Sequence, residues 1–154
     1  GIDWTPQVRL NMAKTRSSSF LHNGTGWESW GHNITTGNLS HFTSNDLVNW
    51  TQTGTTLINT TTFDQWHSEV KLYDGQYQLI MSDKPYENLR FYTSSDGLTW
   101  KFENYNSTVL SGRTGMWDSR MYKSSFVKVN NTYKVWYSAF NAFWVAKIAY
   151  TEYL

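Results

Sequence analysis

Thr93-Ser94-Ser95-Asp96-Gly97-Leu98-Thr99-Trp100 reads as a strand that ends, a tight turn, and a tryptophan that opens the next strand. Asp96 and Gly97 supply the turn, because an aspartate side chain accepts hydrogen bonds from nearby backbone NH groups and glycine tolerates positive φ. Fifty residues earlier the phrase stands as Thr43-Ser44-Asn45-Asp46-Leu47-Val48-Asn49-Trp50, and a shortened form, Ile2-Asp3-Trp4, lies near the start. A phrase repeated at fixed spacing marks an array of similar units.

Working outward, each phrase closes a set of short strands. Glu69-Val70-Lys71-Leu72-Tyr73 meets the hairpin pair Asp74-Gly75, and Tyr77 to Ser82 returns with period-two alternation, as a half-buried strand does. Leu89 to Thr93 is a third strand, and Trp100 begins a fourth. The unit before it runs from Arg16 through Asn23-Gly24 to Trp27–Gly31 and Leu39–Ser44. The unit after it runs from Ser125 through Asn130-Asn131 to Tyr133–Ser138 and Val145–Glu152, where the fourth strand is missing. No helix is expected, since Gly or Asn breaks every run.

Four antiparallel strands recurring near every fifty residues describe a propeller blade. The expected architecture is all-β: one propeller-like domain over 1–154, with blades at 16–58, 66–110 and 118–154. A strand within 1–15 is expected to complete the last blade. Three blades are too few to close a conventional ring, so self-association or further blades from a longer chain are expected.

Composition narrows the function classes. Charged residues are 16% and the formal net charge is +1, which gives no footprint for nucleic acid or an acidic membrane. No apolar run approaches the ~20 residues of a membrane span. There is no cysteine, hence no disulfide scaffold and no thiolate chemistry. Aromatics reach 18%, with nine Trp and ten Tyr, more than core filling requires. Asn-X-Ser/Thr triplets at Asn23, Asn33, Asn38, Asn49, Asn59, Asn106 and Asn130 fit either a surface of β-turns or a glycosylated protein. The chain starts at Gly1 without Met, which fits a processed form or an excised segment.

Ser44 to Thr51 and Ser94 to Trp100 resemble the blade signature of the five-bladed propeller glycosidases, the arabinanase, xylosidase and invertase group. Tyr133-Lys134-Val135-Trp136-Tyr137-Ser138 is similar to their second-strand signature. The resemblance implies a site where the innermost strands begin around the axis, with carboxylates drawn from different blades. Inverting hydrolysis needs a general acid of raised pKa and a base that activates water. Glu69 falls at the position of the acid, and Asp118 at that of a base or orienting group. Where the family places its aspartate base, the first innermost strand has Ser17, Ser18 and Ser19, and the prolines that follow such carboxylates are absent.

Trp66 and Trp117 precede inner strands in matching settings, Gln65-Trp66-His67 and Met116-Trp117-Asp118, and aromatic faces stack on sugar rings. The expected binding cluster is Trp66, His67, Trp117, Arg120 and Tyr122, beside Glu69 and Asp118. Trp27 and Trp30 fit either a second binding group or the core. Trp4, Trp50 and Trp100 recur with the blades and are expected to pack between them, with Tyr77, Tyr133 and Trp136 in the core. Asp46, Asp74 and Asp96 are expected turn residues and Asp64 a loop cap. The four histidines, His22, His32, His41 and His67, lack ligand spacing, so satisfied surface positions are expected, with no metal and no cofactor.

The expected function is carbohydrate recognition without catalysis by an extracellular or surface-exposed protein, secreted or on a virion, with glycan as partner. The alternatives are a glycoside hydrolase using Glu69 and Asp118, and a structural subunit of a surface or virion assembly.

Overall fold

The computed structural model describes residues 10–12, 14–58, 64–84, 88–101 and 108–154. The first sheet is β1 (Thr15–His22), β2 (Trp27–Asn33), β3 (Leu39–Ser44) and β4 (Thr51–Thr55), antiparallel and in that spatial order. After β5 (Leu57–Ile58), the second sheet takes β6 (Asp64–Tyr73), β7 (Gln76–Lys84) and β8 (Asn88–Ser94). Past β9 (Thr99–Trp100) it is completed by β10 (Thr108–Ser111). The third has three strands, β11 (Arg120–Val129), β12 (Thr132–Phe140) and β13 (Ala146–Tyr153). The described residues contain no helix. Trp4 and most of the closing strand expected over 1–15 lie outside the described residues, as does the side chain of Asp64.

The hairpins follow local chemistry. Asp74 and Gly75 both have positive φ, 54° and 75°, in a two-residue turn between β6 and β7, and Asn130 at 55° opens the matching turn of the third sheet. The two turn phrases are built alike. Ser44 Oγ accepts from the NH groups of Asp46 and Leu47, and Asp46 Oδ1 from those of Val48 and Asn49. Ser94 and Asp96 repeat the set with Asp96, Gly97, Leu98 and Thr99. These backbone donors hold the Asp96 carboxylate low, at about 2, and that of Asp46 lower still.

The third turn position needs a left-handed backbone, and the copies meet that need differently: Gly97 has φ 70° and Leu47 φ 63°. A Cβ on Gly97 would sit 2.9 Å from Trp30 Cζ2. Gly97→Ala is therefore expected to lower stability by about 2 kcal/mol, and Leu47→Gly to raise it by about 0.5 kcal/mol. Paired thermal melts check the opposite signs.

The sheets pack face to face through two apolar clusters. Trp30 and Leu39 of the first sheet meet Val70, Leu79, Met81, Tyr92 and Trp100 of the second unit. Ile80, Leu89 and Phe91, from the other side of the second sheet, meet Met121, Phe126, Val135 and Tyr137 of the third. The middle sheet is thus covered on both faces, so Leu79-Ile80-Met81 is buried throughout rather than half-buried as its alternation suggests. Beside these clusters, β5 runs parallel to β9, pairing Leu57 with Thr99 and Ile58 with Trp100, so the end of one unit is tied to the turn phrase of the next.

Several expectations change once the sheets are in place. Trp100 packs between units as expected. Trp50 meets Phe20 of its own sheet, ring centroids 5.4 Å apart, donates from Nε1 to the Leu47 carbonyl, and gives its backbone NH to Asn11 Oδ1. Trp30 belongs to the core, while Trp27 is partly buried against His22. Trp136, expected in the core, is 44% exposed. It lies between Val135 and Tyr137, which face the second sheet, so alternation turns it to the outer face beside Tyr150. Three of the four histidines, His32, His41 and His67, are buried rather than at the surface, because they face neighbouring sheets.

Candidate functional site at the inner strands

β1, β6 and β11 are the innermost strands of the three sheets, and β6 contacts both of the others. The Val70 NH donates to Ser19 Oγ at 2.8 Å, a direct link between two of them. All three break register near their starts: β1 between Arg16 and Ser19, β6 between Gln65 and Ser68, β11 between Met121 and Lys123. A bulge adds a residue on one strand and re-aims its side chains, and bulges are common beside functional sites. In β1 the bulge carries Ser17 in the left-handed region, φ 56°. Gly31 makes room for it, since a Cβ there would lie 2.6 Å from Ser18 Oγ.

The bulges surround a cavity of about 120 Å³. It is lined by Ser17 and Ser18 from β1, by His67, Ser68 and Glu69 from β6, and by Lys123 and Ser124 from β11. Glu69 is paired with Lys71, Oε1 to Nζ 2.7 Å. Trp66 stands over its own neighbour His67, centroids 5.3 Å apart, and the Arg16 guanidinium lies 4.3 Å from the Trp66 ring centre. Tyr122, exposed, meets His67 edge-on at 4.3 Å. Burial first, then the charges of Lys123, His32 and Arg16, push the His67 pKa down to about 4, so its imidazole is neutral at neutral pH. Both ring nitrogens of His67 and the hydroxyl of Ser68 are buried without a hydrogen-bond partner.

The sequence-derived cluster therefore divides. His67 and Glu69 line this cavity; Trp66 and Tyr122 do not, but each packs on His67, the Trp66 ring also meeting Arg16 and, at 4.9 Å, His32. Trp117 stacks on Tyr137, 6.3 Å and 11° between planes, with Lys147 over its ring. Asp118 is buried and engaged by Arg113: Nε lies 3.0 and 2.9 Å from its two oxygens, and Nη2 lies 2.8 Å from Oδ2. That clasp, with the Arg113 NH donating to the Asp118 carbonyl, closes the loop ahead of β11. Arg120 is exposed at the first position of β11. Asp118, Trp117 and Arg120 do not line the cavity. Ser17, Ser18, Lys123 and Ser124 do, and the signal that points to them is positional: they sit at or beside the repeated bulge. Among the described residues no group of three His, Cys, Asp or Glu side chains is placed to hold a metal ion.

Matched by sequence, the chain corresponds to no protein-family model and to no curated protein. Its fold does have relatives among solved structures. The endo-arabinase from Bacteroides thetaiotaomicron VPI-5482 superposes with a TM-score of 0.74 at 13% identity, over 98% of this chain and 55% of that one. The fold is that of the glycoside hydrolase β-propellers. A thermostable family-43 glycoside hydrolase gives 0.68 at 14% identity, over 99% of this chain and 52% of that one. The Penicillium chrysogenum alpha-L-arabinanase, in complex with arabinobiose, gives 0.68 at 13%, over 96% and 48%. The chain spans about half the length of the structures it resembles.

Proposed function

We propose that this chain is a glycan-binding part of a glycoside-hydrolase-like propeller, and that sugar is bound at the cavity between β1, β6 and β11. The observation that carries the reading is a lining of hydroxyls, an imidazole, an ammonium and a single carboxylate, with the exposed Tyr122 ring beside it, edge-on to His67. The polar lining groups fix the hydroxyls of a sugar, and an exposed ring such as that of Tyr122 offers an apolar face. Two-carboxylate hydrolysis needs a second acid flanking the same bond. Glu69 is the one carboxylate that lines the cavity among the described residues, and Asp118 is held by Arg113. That favours binding over catalysis by this chain alone.

Isothermal titration with arabino-, xylo- and uronate oligosaccharides tests the reading. Glu69→Ala, which removes a lining carboxylate whose pair with Lys71 is partly exposed, is expected to weaken binding about tenfold with the melting temperature little changed. Affinity that survives Glu69→Ala intact places the sugar elsewhere, and no binding by any oligosaccharide removes the reading.

Glu69 also supports the second reading, a hydrolase portion whose remaining catalytic groups lie on blades outside this chain. Aryl-glycoside hydrolysis lost in Glu69→Gln would mark it.

The outer face of the third sheet supports a further part of the proposal. Val127, Val129, Trp136, Ile148 and Tyr150 are all exposed there, Ile148 at 81%, on the side opposite the packed cluster. These apolar side chains share the face with Ser125, Lys134, Ser138 and Glu152, a mixture that suits an interaction surface, and a further blade fits it in the way the third sheet fits the second. The chain is expected to self-associate in sedimentation velocity at micromolar concentration. Ile148→Lys with Trp136→Glu is expected to return it to a monomer.

A further inference from the structure

We propose that the inner-strand cavity selects an acidic sugar, one bearing a carboxylate or sulfate, through Lys123 and Arg16. The proposal rests on the preceding reading of the cavity as a glycan site and adds the class of sugar.

The charge balance leads to it. Of the two charged side chains that line the cavity, Glu69 is already neutralised by Lys71 at 2.7 Å. Lys123 has no carboxylate partner among the described residues. Arg16, next to the lining residue Ser17, has its guanidinium over the Trp66 ring, which leaves its edge NH groups available to an oxyanion. Beside the one lining carboxylate, already paired with Lys71, stand Lys123 in the lining and Arg16 against the Trp66 ring, in a protein whose formal net charge is only +1. A pocket furnished with several carboxylates repels an anionic sugar; this one attracts it.

The lining itself points to a ligand rich in acceptor oxygens. His67 is 7% exposed, lines the cavity, and has no hydrogen-bond partner at either ring nitrogen. Ser68 Oγ is likewise unpartnered. Polar groups buried without protein partners cost about 1–3 kcal/mol each unless water or a ligand satisfies them, and these lie in the cavity wall. In the neutral imidazole one nitrogen donates, and hydroxyls of Ser17, Ser18 and Ser124 add further donors. Charge-assisted bonds from Lys123 and Arg16 to an oxyanion are the strongest available in such a set. The strained φ of Ser17 and the space left by Gly31 hold one wall of this donor array in place.

The experiment titrates the full chain with three probes at 50 and 500 mM NaCl: an oligogalacturonate, a heparin-derived sulfated oligosaccharide, and a neutral arabino-oligosaccharide of similar length. At least one acidic probe is expected to bind tenfold or more tighter than the neutral one at low salt, with the preference shrinking at high salt. Which acidic probe binds identifies the substituent. Lys123→Gln is expected to weaken acidic binding about tenfold more than it weakens neutral binding, and so to erase most of the acidic preference. Lys101→Gln, in the outer turn of the second unit, makes the same change in net charge and is expected to alter nothing. Lys123 is exposed, so its variant is expected to keep the melting temperature of the parent. Equal or tighter binding of the neutral probe overturns the acid preference alone, as does equal loss in Lys123→Gln and Lys101→Gln. Failure of all three probes overturns the glycan reading with it.

Discussion

Trp30→Ala is expected to lower the unfolding free energy by about 3–5 kcal/mol, the range for removing a large aromatic side chain from a core. Trp30 is fully buried at the joint between the first two sheets. Its ring lies 5.0 Å from that of His41, 5.7 Å from Tyr77 and 6.3 Å from Trp100, edge or tilted in each case. Its Nε1–H donates to the Gly97 carbonyl at 2.7 Å, across the sheet boundary. Truncation therefore leaves a cavity and an unpaired buried carbonyl together. Trp30→Phe keeps most of the ring volume and isolates the second effect, expected at about 1–3 kcal/mol. Urea titrations of both variants measure this, and an unchanged slope with a shifted midpoint shows that the loss lies in stability. A loss under 1 kcal/mol for Trp30→Ala would mean the first two sheets are not held together at this residue.

Glu28→Ala is expected to cost about 3 kcal/mol, at roughly 1 kcal/mol for each of the donors it strands. The Glu28 carboxylate is buried in the same joint and collects three neighbours. Oε1 accepts from Asn23 Nδ2 at 2.5 Å and from the Tyr77 hydroxyl at 2.6 Å, and Oε2 meets His41 Nε2 at 3.0 Å. Tyr77 comes from the second sheet, so the network binds the two together as Trp30 does. Burial by itself would raise the Glu28 pKa, but the hydrogen bonds from His41, Tyr77 and Asn23 outweigh it and hold the group below the usual carboxylate range. On Tyr77, burial and then the carboxylate it serves push the phenol up to about 12.

The sign of the pH dependence follows. A carboxylate whose folded pKa is depressed binds fewer protons folded than unfolded in the acid range. Its contribution is complete above the ordinary value of 4.5 and is lost as pH falls through the depressed folded value. Wild type should therefore exceed Glu28→Gln by its full margin at pH 6–7, and the margin should close on acidification. A margin that widens toward low pH would contradict the assignment. Because Glu28 and Tyr77 share one hydrogen bond, Glu28→Ala and Tyr77→Phe are expected to be less than additive together.

The repeat was legible because its determinants are local. Ser44 with Asp46, and Ser94 with Asp96, cap backbone NH groups within three residues of themselves, and Asp74-Gly75 fixes a two-residue hairpin without distant help. Two of the residues that line the cavity were legible for the same reason: His67 and Glu69 are found by measuring from the repeat to the start of an inner strand, with Trp66 and Tyr122 packed beside His67. Asp118 shows where such measurement stops. Its position relative to β11 matches the expectation, but its carboxylate turns to Arg113, five residues away, and no spacing rule reports which way a side chain turns. The histidines were misplaced for a related reason. Period two assigns a residue to one face or the other, and which face is covered depends on whether another sheet lies there.

Alternation and hydrogen bonds that close within a few residues were enough for most strands, their turns and the all-β class; the exception is Trp100, expected to open the fourth strand of its unit, which instead pairs with β5 while Thr108–Ser111 completes the sheet. Tertiary structure alone decided which faces are buried, so Trp30 became core and Trp136 surface. It also decided that bulges in β1, β6 and β11, remote in sequence, meet at one cavity. The physical reason is that a bulge is a local event, whereas the cavity exists only where three sheets bring their bulges to the same place.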